Sequence, residues 1–200
     1  SNVYDVAKVS PLSIAVQLSK RFKNQIYLKR EDDQIIHSFK LRGAYQKMST
    51  MSDSQKSKGV IASSAGNHAQ GVALGASKLN IKATIVMPTS TPNIKVQAVR
   101  DLGAKVILHG DVYDDAFIHA KKLVSEQDLC FISPYDDFDV IAGQATVAKE
   151  ILAQLDQIDY VFSPVGGGGL ISGMASYIKH YAPQIKVIGV EPVDSPTLFK

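Results

Sequence analysis

Cysteine is almost absent from this sequence, since Cys130 is the only one in 200 residues. One cysteine cannot form a disulfide within the chain, and it cannot build a zinc site that needs several thiolates. Such scarcity is typical of proteins from a reducing compartment, so we expect a cytoplasmic location. Because it lies between Leu129 and Phe131, we expect Cys130 itself to be a small residue of the core.

An excess of one charge and a long apolar run are also missing. The 22 basic and 19 acidic residues leave a net charge of +3, and the basic groups, such as Lys20-Arg21, are short. A nucleic-acid-binding protein would concentrate its basic residues on one face or helix, so we expect no nucleic-acid partner. No apolar run approaches the length of a membrane span and no signal-peptide pattern opens the chain, so we expect no membrane association. The hydrophobic share of 45% is ordinary for a globular protein with a sizeable core.

Short β-branched runs alternate with helical patterns along the chain. The runs predicted as strands are Ile26–Lys29, Val60–Ser63, Ala83–Met87, Lys105–Leu108, Tyr160–Ser163 and Val187–Val190. Most are continuously apolar, which is typical of strands covered on both faces. Apolar stripes at helical spacing begin at Val72, Val96, Ala116, Val147 and Ile171. This alternation predicts parallel sheets with flanking helices, an α/β fold.

Four consecutive glycines, Gly166 to Gly169, follow one predicted strand and open a helix. Such a loop lets backbone N–H groups approach an anion closely, and the helix N-terminus adds a favourable dipole. No Lys-Ser/Thr pair follows as in a Walker loop, and the glycine spacing of a dinucleotide site is broken at Ile171 or Ser172. The loop therefore favours a phosphate that serves only as an anchor, such as that of pyridoxal phosphate, over a merely flexible turn.

The segment Ser38-Phe39-Lys40 begins another predicted helix, with Ser38 as the N-cap and Lys40 in the first turn. A cation in this turn opposes the helix dipole, so the neutral amine is favoured, and Schiff-base chemistry requires that form. An isolated lysine would be interpreted as an ordinary surface residue. Lys40 becomes a candidate because the glycine loop occurs in the same chain.

A third segment, Ser63 to Gly71, also runs from a predicted strand into a helix. Its small residues and the exposed N–H groups of a helix start suit a carboxylate, and Asn67 offers a side-chain donor for a phenolate oxygen. An ordinary capped turn would show the same pattern, and a lone histidine such as His68 is more often structural than catalytic.

Together these motifs resemble the fold-type II pyridoxal-phosphate enzymes, which share a two-lobed α/β fold with the tryptophan synthase β subunit, and they are most similar to the biosynthetic threonine dehydratases. The resemblance covers nearly the whole chain from about Val3. Its other motifs are Lys29-Arg30-Glu31-Asp32, His37 to Tyr45, Ile85 to Pro88 and Ile141 to Gln144. It implies a small lobe at residues 34–136 and a large cofactor-binding lobe at 1–33 and 137–200, whose C-terminal part is missing from this chain.

The resemblance also implies the roles of individual residues. Lys40 would be the catalytic residue and would carry pyridoxal 5'-phosphate, Phe39 would pack against the cofactor, and Asn67 would bind its ring oxygen. The phosphate would be bound by Gly166, Gly167, Gly168, Gly169 and Leu170. The carboxylate of an amino-acid substrate would be held by Ser64, Ala65, Gly66, Asn67 and His68.

The activity implied is that of a threonine ammonia-lyase, which converts L-threonine to 2-oxobutanoate and ammonia as the first step of isoleucine biosynthesis and also acts on L-serine. A homo-oligomer, often a tetramer, and allosteric control by isoleucine through a region beyond this chain are implied as well.

Three alternatives stay open. Serine racemase or serine dehydratase uses the same scaffold. In that branch a second serine resembles the acid–base group that racemisation needs, and this chain has Ala65 at the matching position. Those relatives also carry a cation site, for which Glu191 resembles one ligand while Thr197 lacks the matching carboxylate, so we expect no metal. The other two alternatives are a non-catalytic fragment and a dinucleotide-binding lobe.

Overall fold

The computed structural model describes residues 2–199, in which strands and helices alternate as the sequence predicts. The strands are β1 (Leu12–Ile14), β2 (Tyr27–Lys29), β3 (Val60–Ser63), β4 (Ala83–Met87), β5 (Lys105–Leu108), β6 (Cys130–Phe131), β7 (Tyr160–Pro164) and β8 (Lys186–Val190). The α-helices are α1 (Val16–Phe22), α2 (Lys40–Thr50), α3 (Asp53–Lys58), α4 (Asn67–Lys78), α5 (Asn93–Asp101), α6 (Tyr113–Gln127), α7 (Phe138–Gln154) and α8 (Gly169–Tyr181). Short 3-10 helices span Asn2–Asp5 and Glu31–Asp33.

A parallel four-stranded sheet in the order β5-β4-β3-β6 forms the centre of the larger core. Ala62 on β3 packs with Val72 of α4 on one face, while Ile61 packs with Ala116 and Ala120 of α6 on the other. Every residue of β3 is buried. Burying a large aliphatic side chain contributes roughly 1.5–3 kcal/mol, so covering both faces is what stabilises these strands.

A second parallel pair, β7 with β8, packs against α7 and α8. Burial alternates along β7, where Val161 is in the core but Tyr160 is 50% and Phe162 64% exposed. The expectation that continuously apolar strands are covered on both faces is therefore right for β3 and β4 and wrong for β7 within residues 2–199. No helix in this described stretch combines the length and the apolar character that a bilayer crossing demands.

Most predicted strands are confirmed closely. The bounds of β3, β4 and β5 agree with the prediction, and β2, β7 and β8 agree within one residue. The prediction missed β1, which pairs antiparallel with β2, and the two-residue strand β6. Cys130, expected in the core, is half-buried in β6 and packs against the main cluster. The four-stranded sheet lies inside the predicted small lobe, but the lobe bounds themselves stay a prediction.

A buried ion network fixes the start of α2. The guanidinium of Arg42 is 0% exposed and reaches Glu150 on α7 at 2.6 Å and Glu31 of the N-terminal segment at 2.7 Å. Lys29 lies 2.7 Å from the other oxygen of Glu150. Burial alone would raise the pKa of Glu150, but the hydrogen bonds and charges of Arg42 and Lys29 outweigh burial and lower it. Because each buried charge has partners, the network holds the first turn of α2 in one place.

Helices α2 and α7 cross at two glycines. A Cβ on Gly143 would lie 2.5 Å from the carbonyl oxygen of Arg42, and one on Gly43 would lie 2.8 Å from the carbonyl oxygen of Val140. Side chains at either position would force the helices apart. Because neither residue has a side chain, α7 lies close enough to α2 for Glu150 to contact Arg42.

Candidate active site

A pocket of about 420 Å³ opens where several parallel strands end. In open α/β sheets this edge is where ligands bind. The lining residues come from the start of α2, the loops after β3, β6 and β7, and the start of α6. They are Ser38, Phe39, Lys40, Ser63, Ser64, Asn67, His68, Tyr113, Pro134, Tyr135 and Gly167. The lysine, the asparagine loop and the glycine loop, which lie far apart in sequence, thus meet at one pocket.

The Lys40 amine points into this pocket. Its Nζ donates a hydrogen bond to the Pro134 carbonyl oxygen at 2.7 Å and lies 5.5 Å from the centre of the Phe39 ring. Burial lowers the pKa of Lys40, and no carboxylate among residues 2–199 forms an ion pair with it. The environment therefore favours the neutral, nucleophilic form of the amine.

The predicted N-cap of α2 is wrong by one position. The helix begins at Lys40, so Phe39 occupies the cap position, and Phe39 contributes no side-chain hydrogen bond. Ser38 still contacts the helix start, because its Oγ accepts a hydrogen bond from the Lys40 amide at 3.3 Å. Lys40 is in the first turn as predicted.

The loop after β3 presents unpaired donors to the pocket. Helix α4 begins at Asn67 after Gly66, which provides no side-chain cap. The backbone amides of Asn67, His68 and Ala69 and the Asn67 side chain donate to no acceptor within residues 2–199. Ser64 stabilises the turn, since its Oγ accepts from the Gly66 amide at 3.2 Å. A helix start with free amides can hold a carboxylate.

His68 is a neutral donor to the backbone. The ring is 4% exposed, and its Nε2 lies 3.0 Å from the carbonyl oxygen of Ile132, which can only accept. The hydrogen is therefore on Nε2. Burial, with a smaller effect of the Lys40 charge, lowers the pKa of His68 to about 4. The ring is uncharged at neutral pH, so a substrate carboxylate would be held by the His68 backbone amide.

The glycine loop also offers free amides. The N–H groups of Gly166 to Gly169 have no acceptor in the described part of the chain, and Gly168, at φ +85°, is the N-cap residue of α8. A Cβ on Gly166 would meet no atom within 4 Å, whereas one on Gly167 would overlap the Tyr135 ring. Leu170 packs its side chain into the core, so only its backbone amide could contribute to an anion site. Ala65 packs against the core in the same way.

Five lining residues were not predicted as site residues: Ser38, which was predicted only as an N-cap, and Ser63, Tyr113, Pro134 and Tyr135. Pro134 and Tyr135 follow β6, so a prediction of that strand would have placed their loop at the ligand-binding edge. Ser63 belongs to a segment that was singled out, but the predicted site residues began at Ser64. Tyr113 opens α6 just beyond β5, where the same rule would have pointed.

Glu191 is bonded within its own segment. One of its oxygens accepts from the Thr197 hydroxyl at 2.9 Å and the Leu198 amide at 2.8 Å, and the other accepts from the Phe199 amide at 3.1 Å. Within residues 2–199, no three histidine, cysteine, aspartate or glutamate side chains are grouped so that they could hold a metal ion.

A half-buried lysine amine, a helix start with free amides and a glycine loop with free amides are the features expected of an α/β protein that binds an organic phosphate cofactor. The family model described as "Pyridoxal-phosphate dependent enzyme" matches residues 4–200. The chain belongs to this family of pyridoxal-phosphate-dependent enzymes.

Comparison with individual relatives shows which members of the family this chain resembles. The chain is 54% identical over 200 residues to the biosynthetic L-threonine dehydratase of Pasteurella multocida, a match that covers 100% of this chain and 39% of that protein. The processed form of threonine deaminase isoform 2 from Solanum lycopersicum superposes with a TM-score of 0.95 at 55% identity, covering 96% of this chain and 53% of that one. The chain thus spans about two fifths to one half of these relatives.

The serine racemase of maize has the same fold but a more distant sequence. It superposes with a TM-score of 0.93 at 33% identity, covering 96% of this chain and 58% of the maize chain. Fold similarity alone does not separate the two kinds of enzyme, whereas identity to the threonine dehydratase and threonine deaminase is clearly higher.

The residues present fit pyridoxal 5'-phosphate. The half-buried amine of Lys40 suits the aldehyde, and the free amides of the glycine loop suit a phosphate. The open space beside Gly166 leaves room for an anion at the backbone. Asn67, whose side-chain amide has no partner within residues 2–199, suits a ring oxygen. The family's cofactor and this site therefore agree in chemistry.

Proposed function

We propose that the protein containing this chain is a threonine ammonia-lyase. It eliminates water from L-threonine and takes water up again when ammonia is released, so that the net products are 2-oxobutanoate and ammonia, and it converts L-serine to pyruvate and ammonia in the same way. The observation that carries the proposal is that Lys40 and one residue of the glycine loop, Gly167, line the same pocket. The choice of substrate is supported by similarity to a threonine dehydratase over the whole chain.

Lys40, Asn67 and the glycine loop would hold the cofactor, with Phe39 beside it. When bound, pyridoxal phosphate supplies an electron sink for the pair of electrons left at the substrate Cα. The free amides at the start of α4 bind the substrate carboxylate and fix which bond at Cα faces Lys40.

The Lys40 amine is the base that accepts the Cα proton. Its pKa is lowered by burial, so more of the amine is neutral and able to take a proton than in water. The Pro134 carbonyl holds Nζ at the pocket wall, which restricts the directions in which the amine can move. Tyr113 and Tyr135 also line the pocket.

Replacing Lys40 tests this proposal in the intact protein. Lys40→Ala is expected to remove the visible absorbance that arises when lysine and cofactor are joined, and to abolish release of 2-oxobutanoate, because both the attachment point and the base are lost. Lys95→Ala, at an exposed position on α5, is the matched control and should keep both signals. Full turnover by the Lys40 variant would contradict the assignment.

Serine racemisation is the second candidate because the maize serine racemase shares the fold so closely. Ala65 lacks the hydroxyl that a proton donor on the opposite side of the substrate would need, which favours elimination. Keto-acid release and D-serine formation, measured side by side with L-serine as substrate, separate the two activities.

We further propose that the intact protein is a homo-oligomer, that isoleucine controls it, and that it is cytoplasmic. The first two rest on the resemblance to biosynthetic threonine dehydratases, and the third on the single cysteine. Mass measurement of the native protein and activity titration with isoleucine test the first two.

A further inference from the structure

One residue of the pocket has no assigned role and an unusual environment. Ser63, the last residue of β3, is 1% exposed, and its hydroxyl has no hydrogen-bond partner among residues 2–199. It lines the pocket together with Lys40, Asn67 and His68. The only other buried side-chain oxygen or nitrogen in this condition within the same residues is Thr91 Oγ1, which does not line the pocket.

A buried hydroxyl without a partner destabilises a fold, so such groups are rare unless a ligand or solvent completes them. The neighbouring Ser64 shows the contrast, since its hydroxyl already accepts from the Gly66 amide. The pocket that Ser63 lines also contains donors that could bind an anion, namely the Lys40 amine and the free amides of Asn67 and His68. A hydroxyl among donors is placed to donate to the same oxygen that they bind.

We propose that Ser63 is a ligand-binding residue whose Oγ–H donates a hydrogen bond to an anionic oxygen of the molecule that fills the pocket. This inference rests on the proposed function. Two oxygens have the required chemistry, the ring phenolate of pyridoxal 5'-phosphate and the carboxylate of the amino-acid substrate.

The test compares Ser63→Ala with Thr91→Val in the intact protein. Each variant removes one unpartnered buried hydroxyl, but only Ser63 is a residue that lines the pocket. Three quantities are measured: the dissociation constant of pyridoxal 5'-phosphate with the position of its visible absorbance band, the KM for threonine, and the melting temperature without cofactor. The melting temperature should stay the same or rise in both variants, because no hydrogen bond within the chain is lost.

If the partner is the ring phenolate, Ser63→Ala should raise the cofactor dissociation constant about 5- to 20-fold and shift the absorbance band. If the partner is the carboxylate, the KM for threonine should rise by about the same factor while the dissociation constant stays unchanged. Thr91→Val should alter neither quantity. The proposal would be overturned if Ser63→Ala left both the dissociation constant and the KM unchanged. It would also be overturned if Ser63→Ala and Thr91→Val changed these two constants equally and both lowered the melting temperature.

The outcome for Ser63 is separable from the proposed function. A wild-type protein that binds no pyridoxal 5'-phosphate or releases no 2-oxobutanoate would contradict the proposed function itself. A wild-type protein that does both, beside an Ser63→Ala variant with unchanged constants, would contradict only the role of Ser63.

Discussion

Two strand–loop–helix turns face the pocket, and they are built differently. The turn after β3 leads into α4 and carries the side chains of Ser64, Asn67 and His68, whereas the turn after β7 leads into α8 and consists of glycines. Both leave backbone amides without acceptors in the described residues. The first turn can therefore distinguish ligands by side-chain chemistry, while the second can bind only through its backbone.

This difference indicates a division of labour. A backbone cradle suits a group that is the same in every reaction cycle, such as a cofactor phosphate. A turn with polar side chains suits a group that arrives and leaves, such as a substrate carboxylate. Glycine substitutions in each turn can separate the two roles, because Gly66 and Gly166 each have no atom within 4 Å of the place where a Cβ would stand.

The largest effect is expected for Gly166→Ala. The added methyl group meets no protein atom within 4 Å, so the protein should fold and melt as before. If the amides of this loop bind the cofactor phosphate, the methyl group stands beside that anion and hinders its approach. We expect the affinity for pyridoxal 5'-phosphate to fall about 100-fold, as several charge-assisted hydrogen bonds lengthen together. Equilibrium titration of the cofactor-free protein measures this. If the variant bound the cofactor with wild-type affinity, the assignment of the phosphate site to this turn would be wrong.

A smaller effect is expected for Gly66→Ala. Here the methyl group stands at the turn assigned to the substrate, so the KM for threonine should rise about tenfold while cofactor affinity stays close to that of the wild type. Steady-state kinetics at saturating cofactor provide the measurement. The two glycine variants are controls for each other, and a loss of cofactor affinity in both would show that the turns do not divide the work.

The smallest effect is a loss of folding stability at acidic pH. Only the first turn carries a titratable ring, His68, whose pKa is lowered by burial to about 4 from the ordinary 6.5. Below pH 6.5 the unfolded chain binds a proton at this histidine and the folded chain does not, so the free energy of unfolding should fall by about 2 kcal/mol between pH 6.5 and pH 5. Denaturant unfolding across this range measures the slope.

His68→Gln should flatten that slope whatever its effect on stability at pH 7. His180→Gln, which changes an exposed histidine on α8, should leave it unchanged. An equally steep slope in the His68 variant would place the responsible group elsewhere.

The sequence predicted the motifs better than their contacts. The bounds of β3 and β4 were predictable because both strands are continuous apolar runs covered on both faces, and Lys40 was predicted as a site residue because the glycine loop and the Ser63 to Gly71 loop occur in the same chain. The acceptor for its amine was not predictable, since Pro134 lies 94 positions away and follows a strand of only two residues. Nor does any pattern show that the Ser63 hydroxyl lacks a partner while that of Ser64 has one, because tertiary packing decides it.

The Arg42 network has a consequence for the order in which the chain assembles. Its partners come from both sides in sequence, with Glu31 made before the arginine and Glu150 made much later. On the ribosome, the guanidinium cannot be neutralised from α7 until residue 150 has left the exit tunnel. Lys40, two positions from that arginine, is therefore fixed in its final position only after α7 has been made, late in the synthesis of this chain.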